Sequence, residues 1–296
     1  MRPIALAAGS LLLAACASGA SGADPEVPAP DPGTPGTPEA PAPPSGGRGP
    51  AVTYEPVRSA AYRLERHDSL TLQFEGGATQ EQSRDRTAFL RITLAESPTP
   101  DAYQVSIVLD SLEAIENGAP VSPDSTLAVR GTRWTATMTP SGGLSGLQAD
   151  RESMLGDEVQ GRLRLLFPPL PDGGVREGME WTDTTQYELV ADAFPGTEQT
   201  VVTYRANEAE SSATDAIALE SSGNYTRSGT RMQGEQELQM TASGNREGVH
   251  RIGLKGILLS AEGRDTGEMT ISVPALGQTV PVKQSGSYRI RSEGGR

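Results

Sequence analysis

The sequence predicts a mainly β fold: a long antiparallel meander, built as an open half-barrel or sandwich-like sheet, in two pseudo-repeat halves with one inserted amphipathic helix near 150–166. Three observations predict it. Apolar and polar residues alternate with period two in run after run, turn residues interrupt those runs, and only one segment carries its apolar residues at helical spacing.

The strands of the first half show the alternation most clearly. Leu70, Leu72 and Phe74 alternate with Thr71 and Gln73. Ala88, Leu90, Ile92 and Leu94 share a parity opposed by Thr87, Arg91 and Thr93. Tyr103, Val105, Ile107 and Leu109 repeat the pattern, and Trp134, Ala136 and Met138 alternate with threonines. One apolar and one wet face is what an antiparallel sheet with a single buried side requires. In the second half the same reading places strands at 186–192, 199–206, 214–222, 228–242, 249–262, 267–274 and 279–291. Turns are expected at Gly196-Thr197, Ser222-Gly223-Asn224, Ser243-Gly244-Asn245, Glu262-Gly263-Arg264 and Leu276-Gly277-Gln278.

Met154, Leu155, Val159, Leu163 and Leu166 fall at helical spacing in a stretch without proline. Asp150 is a suitable N-cap, with Ser153 or Asp157 able to serve instead, and Pro168-Pro169-Leu170-Pro171 ends the helix. This helix divides the strands into groups at 62–149 and 178–291, of similar length and strand density.

The first fifty residues differ in kind. Met1-Arg2 supplies a positive charge, and Ile4 to Ala15 is apolar or small, too short for the ~20 residues of a spanning helix but suited to a secretory signal. Leu13-Ala14-Ala15-Cys16 resembles the lipobox of bacterial lipoproteins, in which the cysteine thiol is acylated and becomes the new N-terminus. Cys16 is the only cysteine, so no intrachain disulfide and no CxxC redox or zinc motif exists. Residues 17–52 are rich in Pro, Gly, Ala, Ser and Thr and form no core. At ~3.1 Å per residue such a tether reaches on the order of 110 Å when fully extended. The expected organisation is a signal peptide at 1–15, an acylated Cys16 with a tether to 52, and a single β-rich domain at 53–296. In enteric bacteria an aspartate after the cysteine favours inner-membrane retention. Ala17 therefore leans toward the periplasmic face of the outer membrane.

The net charge is −13, and residues 1–52 hold four acids and two arginines of that balance, which leaves the remainder near −11. Such a surface repels nucleic acid and anionic headgroups. Aromatic residues make up only 4%, which points to a thin core or a concave surface lined by aliphatics.

No feature of the sequence points to catalysis, so the chain is expected not to be an enzyme and to need no cofactor or metal. Neither a Gly-x-Ser-x-Gly elbow, a His-Glu-x-x-His pair, a P-loop nor a Gly-x-Gly-x-x-Gly turn occurs. His67 adjoins Asp68 and Ser69, but successive strand residues point to opposite faces and do not form a relay. His250, between Val249 and Arg251, reads as a solvent-facing strand residue. Asp172 and Asp183 are explained by turns and strand ends. Trp134 and Trp181 either pack the core or line a ligand groove. The same two readings apply to Ile257, Leu258 and Leu259, a run apolar on both faces that must be covered twice. Trp134, Trp181, Ile257 and Leu259 are the candidate groove residues, and Cys16 is the lipidation site.

The stretch from Leu166 through Pro168-Pro169-Leu170-Pro171-Asp172-Gly173-Gly174 to Gly178-Met179-Glu180-Trp181, with the later Gly277-Gln278-Thr279-Val280-Pro281, resembles uncharacterised bacterial envelope lipoproteins. The resemblance covers residues 55–292, and that group has no assigned activity. More distantly, a lipoprotein with a long meander and an inserted helix resembles the half-barrels of periplasmic lipid carriers, which hold acyl chains in a concave apolar face. The implied function is non-catalytic binding of a lipid or other apolar ligand. The alternative is a structural or interaction lipoprotein of the envelope, with a filled core and protein partners.

Overall fold

Two antiparallel meanders lie side by side and share one sheet. The computed structural model describes residues 47–74, 76–189, 194–208 and 216–293; the leader, Cys16 and the tether as far as residue 46 lie outside them. The first meander comprises β2 (Val57–Gln73), β3 (Thr79–Glu96), β4 (Tyr103–Glu116), the two-residue β5 (Ala119–Pro120), β6 (Arg133–Met138) and β7 (Leu144–Ala149). The second comprises β9 (Glu180–Leu189), β10 (Gly196–Glu208), β11 (Ala216–Gln233), β12 (Gln236–Gly253), β13 (Leu258–Val273) and β14 (Gln278–Glu293). The strand order is β7-β6-β4-β3-β2-β14-β13-β12-β11-β10-β9, with β5 paired to β4 off this path. The first and last long strands therefore meet in the middle, Leu64 beside Ile290, and the two edges are β7 and β9. The sheet is open and antiparallel throughout, as its sequence pattern predicts.

The chain between the two edge strands crosses the concave side. It contains α2 (Met154–Gln160), a 3-10 turn at Leu163–Leu166 and β8 (Val175–Glu177). Ser153 caps α2, accepting a hydrogen bond from the Gly156 N–H at 3.1 Å. Asp150 does not, because its carboxylate accepts instead from the Arg133 N–H at 3.0 Å and fastens β7 to β6. The expected helix thus breaks into seven residues of α-helix and a tighter turn. Leu163 and Leu166, 0% and 1% exposed, and Phe167 at 7% are set against the concave face together with Leu64, Leu90, Ile107 and Ile290. Tyr54 joins them, its ring edge-on to Phe167 at 5.9 Å and its hydroxyl donating to the Pro168 carbonyl at 2.8 Å.

Two elements escaped the sequence pattern. Strand β1 (Arg48–Val52) pairs with β8, so the fold begins before the expected boundary at 52, with Val52 fully buried. Its pairing runs through the backbone, which composition does not reveal. Helix α1 (Pro123–Val129) starts with proline in its first turn and packs on β4, a favoured place for proline because the first N–H groups of a helix have no partner within it.

Four expected turns lie in strands, and the first, Gly196-Thr197, opens β10. Gly223, Gly244 and Gly263 lie inside β11, β12 and β13, each paired on both sides. Their lack of a side chain serves the neighbouring strands. Tyr288 lies across Gly263 and Gly248: a Cβ on Gly263 would stand 2.6 Å from the Tyr288 ring, and one on Gly248 would stand 2.7 Å from its hydroxyl. Tyr225 covers Gly244 in the same way, at 2.8 Å. Glycine lets a sheet coil and an aromatic ring on the next strand cover the gap. Strands of 16 to 18 residues result, about 60 Å at ~3.3 Å per residue. Among the expected turns of this half, Leu276-Gly277-Gln278 is one, with Gly277 at φ 61° after a 3-10 turn at Pro274–Leu276.

The glycine–tyrosine contact is open to a double-mutant cycle. Gly263→Ala is expected to cost about 2 kcal/mol or more in chemical denaturation, the usual range for overpacking. In a Tyr288→Ala background that cost should shrink by roughly 1 kcal/mol, because the ring is one of the two groups the new methyl meets. Strict additivity of the two substitutions would show that the ring does not set the glycine.

Candidate functional site

Alternation along the strands sorts the chemistry onto two faces. On the concave face, the row Ala206–Leu219–His250–Ala261–Ile290–Leu64–Ala88 is almost wholly apolar and belongs to the main core. Two residues along each strand from it lies Tyr204–Ser221–Gly248–Gly263–Tyr288–Arg66–Arg86, where charge begins. Arg66 donates to Asp68 at 2.7 Å and to Asp265 at 2.6 Å. Arg86 donates to Glu158 of α2 at 2.8 Å and to Glu116 at 2.7 Å. Arg162, just after α2, reaches Asp68 at 3.4 Å. With Arg84 also 3.7 Å from Glu158, the crossing segment is tied to the sheet by three ion pairs. Burial alone would raise the Asp68 carboxyl, but the Arg162 and Arg66 guanidiniums outweigh it and hold it below the ordinary carboxylate range.

His250 lies in the apolar row, not in solvent. It is 5% exposed, Nδ1 has no hydrogen-bond partner, and Nε2 stands 3.5 Å from the Tyr288 hydroxyl. The expectation of a solvent-facing side chain fails because Val249 takes the outward position. Burial pushes the His250 imidazole down to about 4.

The candidate groove residues do not meet in one groove. Trp134 is fully buried on β6, between Ile107 and Ala149, and Trp181 stacks on Tyr204 at 5.3 Å. Both belong to the main core. Leu258 points into that core, and Leu259 lies 3.7 Å from where a Gly253 Cβ would stand. Ile257 borders a void of about 10 Å³ shared with Tyr54, Tyr62, Leu166 and Phe167, room for about one water. Within the apolar run, a register shift between Arg251 and Ile252 accommodates the extra residue. A second, smaller apolar cluster, Leu72, Val280 and Val282, stands apart at the far end of the same face. Cys16 lies outside the described residues.

The opposite, outward face carries a trough of about 790 Å³. Its floor is the cross-strand row Glu247–Arg264–Ser287–His67–Asp85, flanked by Glu65, Glu262 and Arg289. Polar partners meet along it: Arg264 pairs with Glu247, Arg289 with Glu262 at 3.8 Å, and His67 Nδ1 is hydrogen-bonded to Asp85 at 2.6 Å. Asp68 points to the other face, as strand alternation requires, so the His67-Asp68-Ser69 trio does not assemble. Ser287 stands across from His67, and the backbone N–H groups of these strands are committed to the sheet. An oxyanion would find no pair of free backbone donors there. Such a row suits polar, zwitterionic contact. No group of three or more His, Cys, Asp or Glu side chains able to hold a metal ion occurs among the described residues.

No protein-family profile matches the chain, and no curated protein sequence matches it. Among solved structures it overlaps DynF from the dynemicin biosynthesis pathway of Micromonospora chersina over 87% of this chain and 90% of that one, at 11% identity and a TM-score of 0.22. A likeness of that size carries no inference about fold or function.

The buried histidine makes a pH prediction. The unfolded chain takes up the proton near pH 6.5 and the folded protein only near 4. Stability is therefore full above pH 6.5 and falls as pH drops toward 4, by on the order of 3 kcal/mol. The Asp68 ion pairs add to the loss in acid. His250→Leu should flatten the pH 4–6.5 part of a urea-midpoint profile, and an unchanged slope in the variant would assign the acid sensitivity elsewhere.

Proposed function

We propose that this chain is an exported envelope lipoprotein, held by acyl groups on Cys16 at the periplasmic face of the outer membrane, and that its β domain is a non-catalytic interaction module with protein partners. The anchor rests on the Leu13-Ala14-Ala15-Cys16 signal and the tether behind it. The interaction reading is supported by one observation above others: the concave face is occupied by the chain's own Leu163, Leu166 and Phe167, and the apolar void left beside them is about 10 Å³. An acyl chain needs many times that volume. The polar trough of about 790 Å³ on the outward face offers partners a ladder of paired polar side chains.

The lipid-binding reading keeps one supporting observation, the separate Leu72–Val280–Val282 cluster. An apolar ligand would sit there, away from Trp134 and Trp181.

Metabolic labelling with a palmitate analogue tests the anchor. Label is expected on the native chain, and Cys16→Ala should lose it and appear in the soluble periplasmic fraction. A native chain without label would end that proposal. For the domain, native mass spectrometry of residues 16–296 carrying Cys16→Ser should give a bare mass, whereas a stoichiometric lipid adduct would favour the lipid-binding reading. A photo-crosslinker at Thr87, in the trough, should yield a discrete larger species in intact cells. Monomer alone would remove the partner reading.

A further inference from the structure

Three consecutive hairpins line one rim of the sheet, β11–β12 at Gly234, β13–β14 at Pro274–Gly277, and β2–β3 at residues 74–78. Each brings an apolar side chain to the rim. Met232 is 61% exposed, Leu276 is 48% exposed, and Phe74 is half-buried. Behind them the apolar surface continues inward, with Phe74 packed on Leu72, Val280 and Val282. The opposite rim is where the chain enters β1 and leaves β14.

We propose that this rim docks on the surface of a zwitterionic phospholipid bilayer. Single apolar side chains carried on separate, glycine-flanked hairpin tips form a protruding edge with gaps between them. A bilayer accepts isolated side chains at the depth of its headgroups, whereas a rigid protein partner would need a matching pocket for each. The protein's net charge of −13 excludes an anionic surface as the preferred one. The proposal rests on the anchored-lipoprotein reading for its biological setting. With residues 16–46 as a tether, up to ~100 Å long at ~3.1 Å per residue, and strands of about 60 Å, the rim can reach a bilayer surface while the N-terminus stays anchored. A contact of two or three side chains is weak alone, and tethering raises its effective concentration.

The test uses residues 16–296 with Cys16→Ser, which carries no acyl group, so its outcome does not depend on lipidation. In flotation with phosphatidylcholine vesicles at millimolar lipid, a measurable fraction is expected to float. The double variant Met232→Glu/Leu276→Glu should reduce partitioning by about tenfold or more. Leu127→Glu/Met154→Glu is the control, since these residues are 61% and 86% exposed but lie on α1 and α2. It should float like the parent, and Met232→Trp should shift its emission to the blue on adding vesicles. No flotation of the parent, equal flotation of the rim variant, or equal loss in the control would each overturn the proposal. If the parent self-associates in sedimentation and the rim variant does not, with no vesicle binding by either, the rim is a contact between copies and the proposal fails. Absence of palmitate label on the native chain would remove the anchor while leaving a positive flotation result intact.

Discussion

The fold depends on one act of burial, the covering of the concave apolar face by the chain that links the two edge strands. An open sheet of this length exposes a continuous aliphatic surface, and water does not tolerate that surface without a cover. Because β2 and β14 pair at the centre, the two meanders run in the same direction round the sheet, and their free edges, β7 and β9, are joined by one connection. That connection crosses the concavity and lays Leu163, Leu166 and Phe167 on it. Topology and core are therefore the same fact. A chain that ran straight from β2 to a last edge strand would leave the concave side uncovered.

What holds the cover in place is electrostatic as well as apolar. Arg86 is almost completely buried, and its bonds to Glu158, Glu116 and two backbone carbonyls use four of the five guanidinium N–H groups. Removing an acid from such an arrangement leaves a buried charge unpaired, which is far more costly than the pair is favourable. The pairs therefore specify where α2 lies more than they stabilise it. Leu163 and its neighbours are interchangeable with other aliphatics of similar volume, but the Arg86–Glu158 and Arg162–Asp68 pairs fix one position of the segment along the strands.

Much of this was legible in the sequence, and the failures share a cause. Parity along Leu90–Ile92–Leu94 or Val105–Ile107–Leu109 reports the buried face directly, because a strand repeats every two residues whatever it packs against. The helix at 150–166 was visible, but its break after Gln160 was not, since the concave face and not local propensity decides where the backbone tightens. Gly223, Gly244 and Gly263 were read as turns because glycine beside serine, asparagine or a charged residue usually marks one. Here it marks close approach between strands, of the β10 backbone at Gly223 and of the Tyr225 and Tyr288 rings at Gly244 and Gly263, none of which the local sequence shows. His250 was misplaced because its own neighbours are equivocal, and only its pairing with Leu219 and Ala261 shows which way it points. The four groove candidates are large apolar residues, and size alone does not separate a filled core from a lined cavity.

The outward face answers a different constraint. A long, open antiparallel sheet offers two unpaired edges and a broad back, each an invitation to aggregate. The back is covered with alternating charge, Arg264 against Glu247 and Arg289 against Glu262, so that neighbouring strands neutralise one another without burying apolar surface. The outward residues of β9 (Glu180, Thr182, Thr184, Gln186 and Glu188) are all polar. Exposed ion pairs contribute little to stability individually, so their number here is better explained by what they prevent. With the back and the β9 edge largely polar, exposed apolar side chains gather off the sheet: Met232 and Leu276 at hairpins of one rim, Leu254 at the β12–β13 turn of the other, and Leu127 and Met154 on α1 and α2. What sets the Met232 and Leu276 rim apart is the spacing of its apolar side chains, one to each of three consecutive hairpins, with Phe74 continuous with the small apolar cluster behind it.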